Sequence, residues 1–293
     1  MLMGPHIRKE RINTMINTVD MNDFGQADFD IAFAPLERFP ERKYVIRTDT
    51  DEAIGVVGKD FGGVSHPEFF GPIRDAWINE LGYTDTINSD DVEVDTRISR
   101  NGAWALEKVT FNNHRATIET NKHKTDTALT LYAWHGVDGL TSNNVISGAI
   151  DFFCTNGMVS GDYNKIRKKN TRHFDMNRIT YEMEGIYDRF IDHTTWCQRL
   201  AEKPISVVHL KDALETMLPK RASKNMLSSV LNEFEVRGAN AWAVYSAFTQ
   251  YATHDDRFGF RQTANDNTLE RQFKRNEDVA RWIEHPEFLK LVA

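Results

Sequence analysis

Between Tyr163 and His173 the chain reads Tyr-Asn-Lys-Ile-Arg-Lys-Lys-Asn-Thr-Arg-His, with five cations and no acid. Lys165, Arg167, Lys168, Lys169 and Arg172 supply that charge, and His173 closes the run. Cations at this density suit phosphate contact, because each one that neutralises a phosphate releases counterions and so supplies sequence-independent affinity. The plainer alternative is a solvated loop. A second basic set precedes it: Arg97, Arg100, Lys108, Arg115, Lys122 and Lys124. Tyr132, Trp134 and Tyr163 offer flat rings on which bases stack at about 1–3 kcal/mol each. Rings of this kind more often pack in a core or a hairpin.

Other chemistry is harder to build from these residues. His135 and Asp138, with Gly136 and Gly139, have the composition either of a catalytic loop or of a turn in which Asp bonds its own backbone. A metal site needs three or four converging ligands. His114, His123, His173, His193, His254 and His285 fall into no H-x-x-x-H or C-x-x-C arrangement. Cys154 and Cys197 read as buried thiols, and spacing alone does not make a pair of Cys154 and His173. Gly58-Lys59 lacks the rest of a phosphate-binding P-loop, and no G-x-G-x-x-G is present. The expectation is a protein with no catalytic residue, no metal and no cofactor, and with the loop from His135 to Asn144 in a structural role.

The net charge of −7 argues against a nucleic-acid binder until its distribution is read. Residues 1–96 carry a balance of −10, residues 97–173 a balance of +5, and residues 174–293 a balance of −2. Salt screens charges beyond about 10 Å, so a basic groove is compatible with an acidic total. No stretch approaches the roughly 20 apolar residues of a membrane span, and the first residues lack the apolar core of a signal peptide. A cytoplasmic location is expected.

The elements that hold these residues read as an α+β fold. Residues 1–42 form a polar arm, with Met15 to Phe33 extended or loop. Residues 43–173 form a strand-rich core with the basic segment, and residues 174–293 a helical part. Tyr44 to Arg47 and Ala53 to Val57 make a hairpin. Ser65 caps a helix, with Glu68 completing a capping box and Phe69, Phe70, Ile73, Trp77, Ile78 and Leu81 on its apolar face until Gly82. Strands follow around Val92 to Ile98, Trp104 to Phe111, Ala116 to Glu119, Thr127 to Trp134 and Val145 to Phe153, with a turn at Thr155-Asn156-Gly157. Helices are expected at Met176 to Leu200, Val207 to Met217, Lys224 to Val236, Ala239 to Thr253 and Leu269 to Ile283. Trp242, Tyr245, Phe248 and Tyr251 share one helix face, for core packing or a subunit interface.

Tyr44-Val45-Ile46-Arg47-Thr48-Asp49 with Gly55 to Phe61 resembles the N-terminal hairpin of the phage/plasmid-like protein family, a domain of unknown function. Asp138-Gly139, Ile150 to Met158 with its Cys154-Thr155-Asn156, Arg172-His173, and Ser246 to His254 are similar to later motifs of that family. The family's loop has Ser-His-Asp-Gly-Ser, whereas here two residues separate His135 from Asp138. The resemblance implies a gene carried by phages or plasmids in a bacterial host cell. By analogy it implies a relation to the single-strand annealing proteins of phage recombination, which assemble into rings or filaments.

The expected function is therefore binding and annealing of single-stranded DNA by a homo-oligomer, with backbone capture by the basic run. One alternative is a non-enzymatic accessory protein that binds a host protein through its acidic N-terminal third. Another is a hydrolase or nuclease built on His135 and Asp138.

Overall fold

The structure is a computed structural model that describes residues 18–83, 87–151, 156–159, 168–169, 183–254 and 268–293, and positions 177 and 181. The strands are β1 (Thr18–Val19), β2 (Ile31–Pro35), β3 (Arg42–Arg47), β4 (Ala53–Gly58), β5 (Ile87–Asn88), β6 (Val92–Ile98), β7 (Trp104–Glu119), β8 (Lys124–Gly136), β9 (Ser142–Asp151), β10 (Asn156–Val159) and β11 (Lys168–Lys169). Helix α1 (His66–Glu80) lies between β4 and β5. After β11 come α2 (Ile186–Glu202), α3 (Val207–Met217), α4 (Lys220–Arg237), α5 (Ala241–His254), α6 (Thr268–Ile283) and α7 (Pro286–Val292). The fold is α+β, with antiparallel sheets and one helix first and a helical region after.

The central sheet runs β10-β9-β8-β7-β6, and β11 adds to β9. A small sheet, β2-β3-β4, lies beside it. Residues 31–35 are therefore a strand paired to β3, where an arm is expected, so the boundary expected at 42/43 runs through a strand pair. The two segments expected at 104–111 and 116–119 are one strand with a bulge between Phe111 and Arg115. Asn156 and Gly157, expected in a turn, open β10 opposite Asp151 and Ile150. In the C-terminal part Asn177 and Tyr181 are already helical, and after a turn at Met183 to Gly185 a helix runs Ile186–Glu202, so a turn interrupts the stretch expected as one helix from Met176 to Leu200.

Helix α1 forms for the reasons its sequence declares. Ser65 Oγ accepts from Glu68 N, and the Glu68 carboxylate accepts from Ser65 N at 2.7 Å. This reciprocal cap satisfies two N–H groups that a helix start otherwise leaves bare. The face at Phe69, Phe70, Ile73 and Trp77 is fully buried. Each such side chain contributes about 1.5–3 kcal/mol by leaving water. It packs on the sheet face made by Val109, Phe111, Leu129, Leu131, Ala133 and Val145. The helical region joins the same core through α5, whose Trp242, Tyr245 and Phe248 have no exposed surface, and Tyr251 almost none. Those four rings are core.

Two buried guanidinium groups lock these layers together. Arg74 of α1 donates from Nε at 2.9 Å and Nη2 at 2.5 Å to the Glu107 carboxylate on β7. Its Nη1 donates to the carbonyls of Met21 and Asp23 at 2.6 and 3.0 Å. The guanidinium lies 4.3 Å from the Phe24 ring centroid. Arg237 of α4 donates to Glu233 at 2.7 Å and to the Thr125 hydroxyl at the start of β8.

Removing one member of a buried pair strands the other charge, at about 3–5 kcal/mol. Arg74→Met should lower the urea unfolding free energy by about that much, and the double variant R74M/E107L should recover part of the loss. Additive losses in the double-mutant cycle would contradict the coupling.

Candidate nucleic-acid interface

Register decides which side chains of the central sheet share a face. Arg97 opposes Leu106, Asp95 opposes Lys108, Lys108 opposes Tyr132, and Leu106 opposes Trp134. These side chains lie on the face turned away from α1, since Glu107, Val109 and Ala133 alternate onto the core side. Trp104 and Trp134 are diagonal neighbours there, with ring centroids 4.7 Å apart and planes within 18° of parallel. Trp134 is 5% exposed, its face covered by Trp104. Trp104 and Tyr132 are half-buried. The ring at the open end of this stack is thus Trp104, which sequence reading treats only as a strand residue.

The reason it escapes notice is the bulge. Glu119 opposes Lys124 at the hairpin end, and that register continued unbroken would set Trp104 opposite Gly139. The shift between Phe111 and Arg115 sets it opposite Gly136 instead, two positions from Trp134.

Of the basic run, the structure describes the backbone of Lys168 and Lys169. They pair with Asn143 and Ser142 at the start of β9. Asn144 in turn opposes Trp134. The order across this end of the sheet is β6 with Arg97, β7, β8 with Trp134, β9, then β11 with the two lysines. Four strand spacings, about 19 Å, separate the two basic edges, with the tryptophans between. Tyr163, Lys165, Arg167, Arg172 and His173 lie outside the described residues.

The remaining cations divide. Arg100 is exposed at this same end, just beyond β6. Arg97 is held by Asp95 at 2.6 Å, so its charge is locally balanced. Lys108 is half-buried, and burial pulls its ammonium below the ordinary lysine value. Lys122 and Lys124 are exposed at the far turn of the β7–β8 hairpin, about 40 Å along the strands from Arg97, and Lys124 is paired with Glu119 at 2.9 Å. The structure brings Arg97, Arg100, Lys108, Tyr132, Trp134, Lys168 and Lys169 to one end of the sheet, and leaves Lys122 and Lys124 at the other.

The loop after β8 is built by Asp138. Its carboxylate accepts from Leu140 N and Thr141 N, both at 2.8 Å, and from the Thr141 hydroxyl at 3.0 Å. This is the self-bonded turn expected of Asp138. Gly139 follows at φ +74°, where a Cβ would lie 2.8 Å from Val57 Cγ1. His135 points into the core instead. Its Nδ1 lies 2.8 Å from His66 Nδ1, and His66 Nε2 lies 3.0 Å from the Gly102 carbonyl. A carbonyl only accepts, so His66 carries its proton on Nε2, and His135 Nδ1–H donates to His66. Phe69 stacks on His135 at 4.4 Å, and Phe29 meets His66 edge-on. Both imidazoles are fully buried, and Asp138 spends both oxygens on its own loop, so the two residues do not form a hydrolytic pair. His66 is a partner that sequence reading absorbs into the helix cap.

Elsewhere, Cys197 Sγ lies 3.6 Å from His193 Nε2 one helical turn away on α2. Burial pushes the Cys197 thiol well up and lowers His193 to about 4, so both stay neutral. The thiol is buried as expected; Cys154 lies outside the described residues. Among the described residues no three His, Cys, Asp or Glu side chains converge as metal ligands, and no helix is long and apolar enough to cross a membrane.

Burial lowers His66 from 6.5 to about 4 and His135 in the same direction. A base whose folded value is depressed favours the folded state while neutral. The stability is complete above pH 6.5 and is lost as pH falls from there towards 4, on the order of 3 kcal/mol for His66 alone. Urea midpoints should drop between pH 7 and 4.5, and H66Q/H135Q should show a shallower drop, retaining the His193 share. Equal slopes in the variant and the natural protein would contradict the neutral pair.

No curated protein and no solved structure matches the chain. A family described as a domain of unknown function, DUF932, matches residues 81–280. The matched stretch starts at the end of α1, takes in the central sheet from β6 to β11, and reaches into α6; the Tyr44 to Phe61 hairpin lies outside it. With more than half of its length so matched, the chain belongs to the DUF932 family.

Proposed function

We propose that this chain binds single-stranded DNA and anneals complementary strands, as a homo-oligomer serving phage or plasmid recombination. The observation that carries the reading is the pairing of Lys168–Lys169 with β9, at the sheet end where Trp104 stacks on Trp134. Cations hold a phosphate backbone, and a half-buried indole receives a base face, whatever the sequence. Arg97 and Arg100 border the same end from the opposite side. Annealing requires strands held by their backbones with base edges left free. A sheet end with cations at its margins and rings between them suits that requirement. Subunits placed side by side would extend the path.

The test is anisotropy of a labelled oligothymidine across a salt titration. Lys168→Glu with Lys169→Glu should weaken binding sharply and lower the log–log salt slope by about 1.4, at about 0.7 per lost single-strand contact. Trp104→Ala should cost about 1–3 kcal/mol of binding. Equal affinity and slope for the natural protein and the double lysine variant would overturn the reading.

A further inference from the structure

The central sheet has an unpaired edge at β6 with a groove beside it. Strand β6 ends the sheet order. Ser99 N donates to Trp104 O, and Asn112 N donates to Asp91 O. In antiparallel pairing, bonded positions alternate along the strand. The odd positions of β6 therefore turn their backbone to β7, and Val94, Thr96 and Ile98 turn theirs outward. Among the described residues no backbone group pairs with those outward N–H and C=O groups. They face a groove of about 700 Å³ whose other wall is Thr18 to Asp20, Asp23, Gly25 and Gln26.

We propose that this groove receives an extended, lysine- or arginine-bearing peptide segment, which adds to β6 as a further strand. Main-chain bonding to a sheet edge supplies affinity in such docking, and alternate side chains supply specificity. Two observations set the chemistry. The half-buried side chains of Val94 and Ile98 present apolar surface on the groove side of the strand. The wall opposite β6 is acidic: Asp20 and Asp23 are exposed there, and the one cation that lines the groove, Arg97, is already paired with Asp95 at 2.6 Å. The segment therefore alternates small apolar residues, facing Val94 and Ile98, with cations. The inference does not rest on nucleic-acid binding: the groove meets the candidate DNA path at Arg97, but the groups it uses are the outward backbone of Val94, Thr96 and Ile98.

The probe is a capped nine-residue peptide alternating Val or Thr with Lys, titrated into the full chain. Hydrogen exchange at the Val94, Thr96 and Ile98 amides should slow on binding, while the odd positions, already bonded, stay unchanged. Methylating alternate peptide nitrogens removes donors without changing charge, and should weaken binding at least tenfold. Asp20→Asn with Asp23→Asn keeps the local turn bonds that these side chains accept, and should weaken binding severalfold and flatten its salt dependence. Equal binding by the methylated peptide, equal binding by a glutamate counterpart, or no protection at the three amides would each overturn the proposal. So would self-association of the protein through the same three amides, since that would make a second copy the occupant.

Discussion

A guanidinium removed from water needs a partner for its charge and for its N–H groups, and Arg74 meets that demand by joining three separate parts of the chain. It sits on α1, neutralises Glu107 on β7, and holds the carbonyls of Met21 and Asp23. Burial pushes the Glu107 carboxyl up while the Arg74 guanidinium opposes the shift. Because the desolvation cost of two buried charges is large, the pair specifies an arrangement more than it adds stability. Together with the buried Phe24 ring over which it lies, Arg74 fixes the 18–26 segment, and with it the wall that carries Asp20 and Asp23 beside β6.

The C-terminal helices are attached by the same kind of device. Arg237, fully buried, ties α4 to Thr125 at the hairpin end of β8. Gln198 of α2 exchanges side-chain bonds with the backbone of Glu119 on the adjoining strand. The helices thus anchor at the far end of the long hairpin, and the opposite end is left to Trp104, Trp134, the Asp138 loop and β11. One sheet carries a structural end and an end with basic margins, which is why the candidate interface and the helical body do not compete for surface.

Much of this was legible in the residues. The capping box at Ser65, the hairpin at Tyr44, the helix from Val207 to Met217 and the buried face of α5 follow from local chemistry and periodicity. The self-bonded Asp138 followed from turn chemistry. What was hidden depends on long-range pairing. The strand at Ile31 to Pro35 is short and polar-flanked, and only its partner β3 makes it a strand. The Trp104–Trp134 stack hangs on a register shift at the bulge. The His66–His135 contact joins positions 69 residues apart, and nothing in either neighbourhood announces it.

The central claim is that single-stranded DNA runs across the β6–β11 end of the sheet. Hydrogen exchange with mass spectrometry, with and without an oligothymidine, tests it most directly. The account predicts slowed exchange in segments covering residues 97–108, 132–145 and 165–172, and none in α3, α4 or α5. Protection confined to the helices, or none at all while the oligonucleotide is bound, would contradict it.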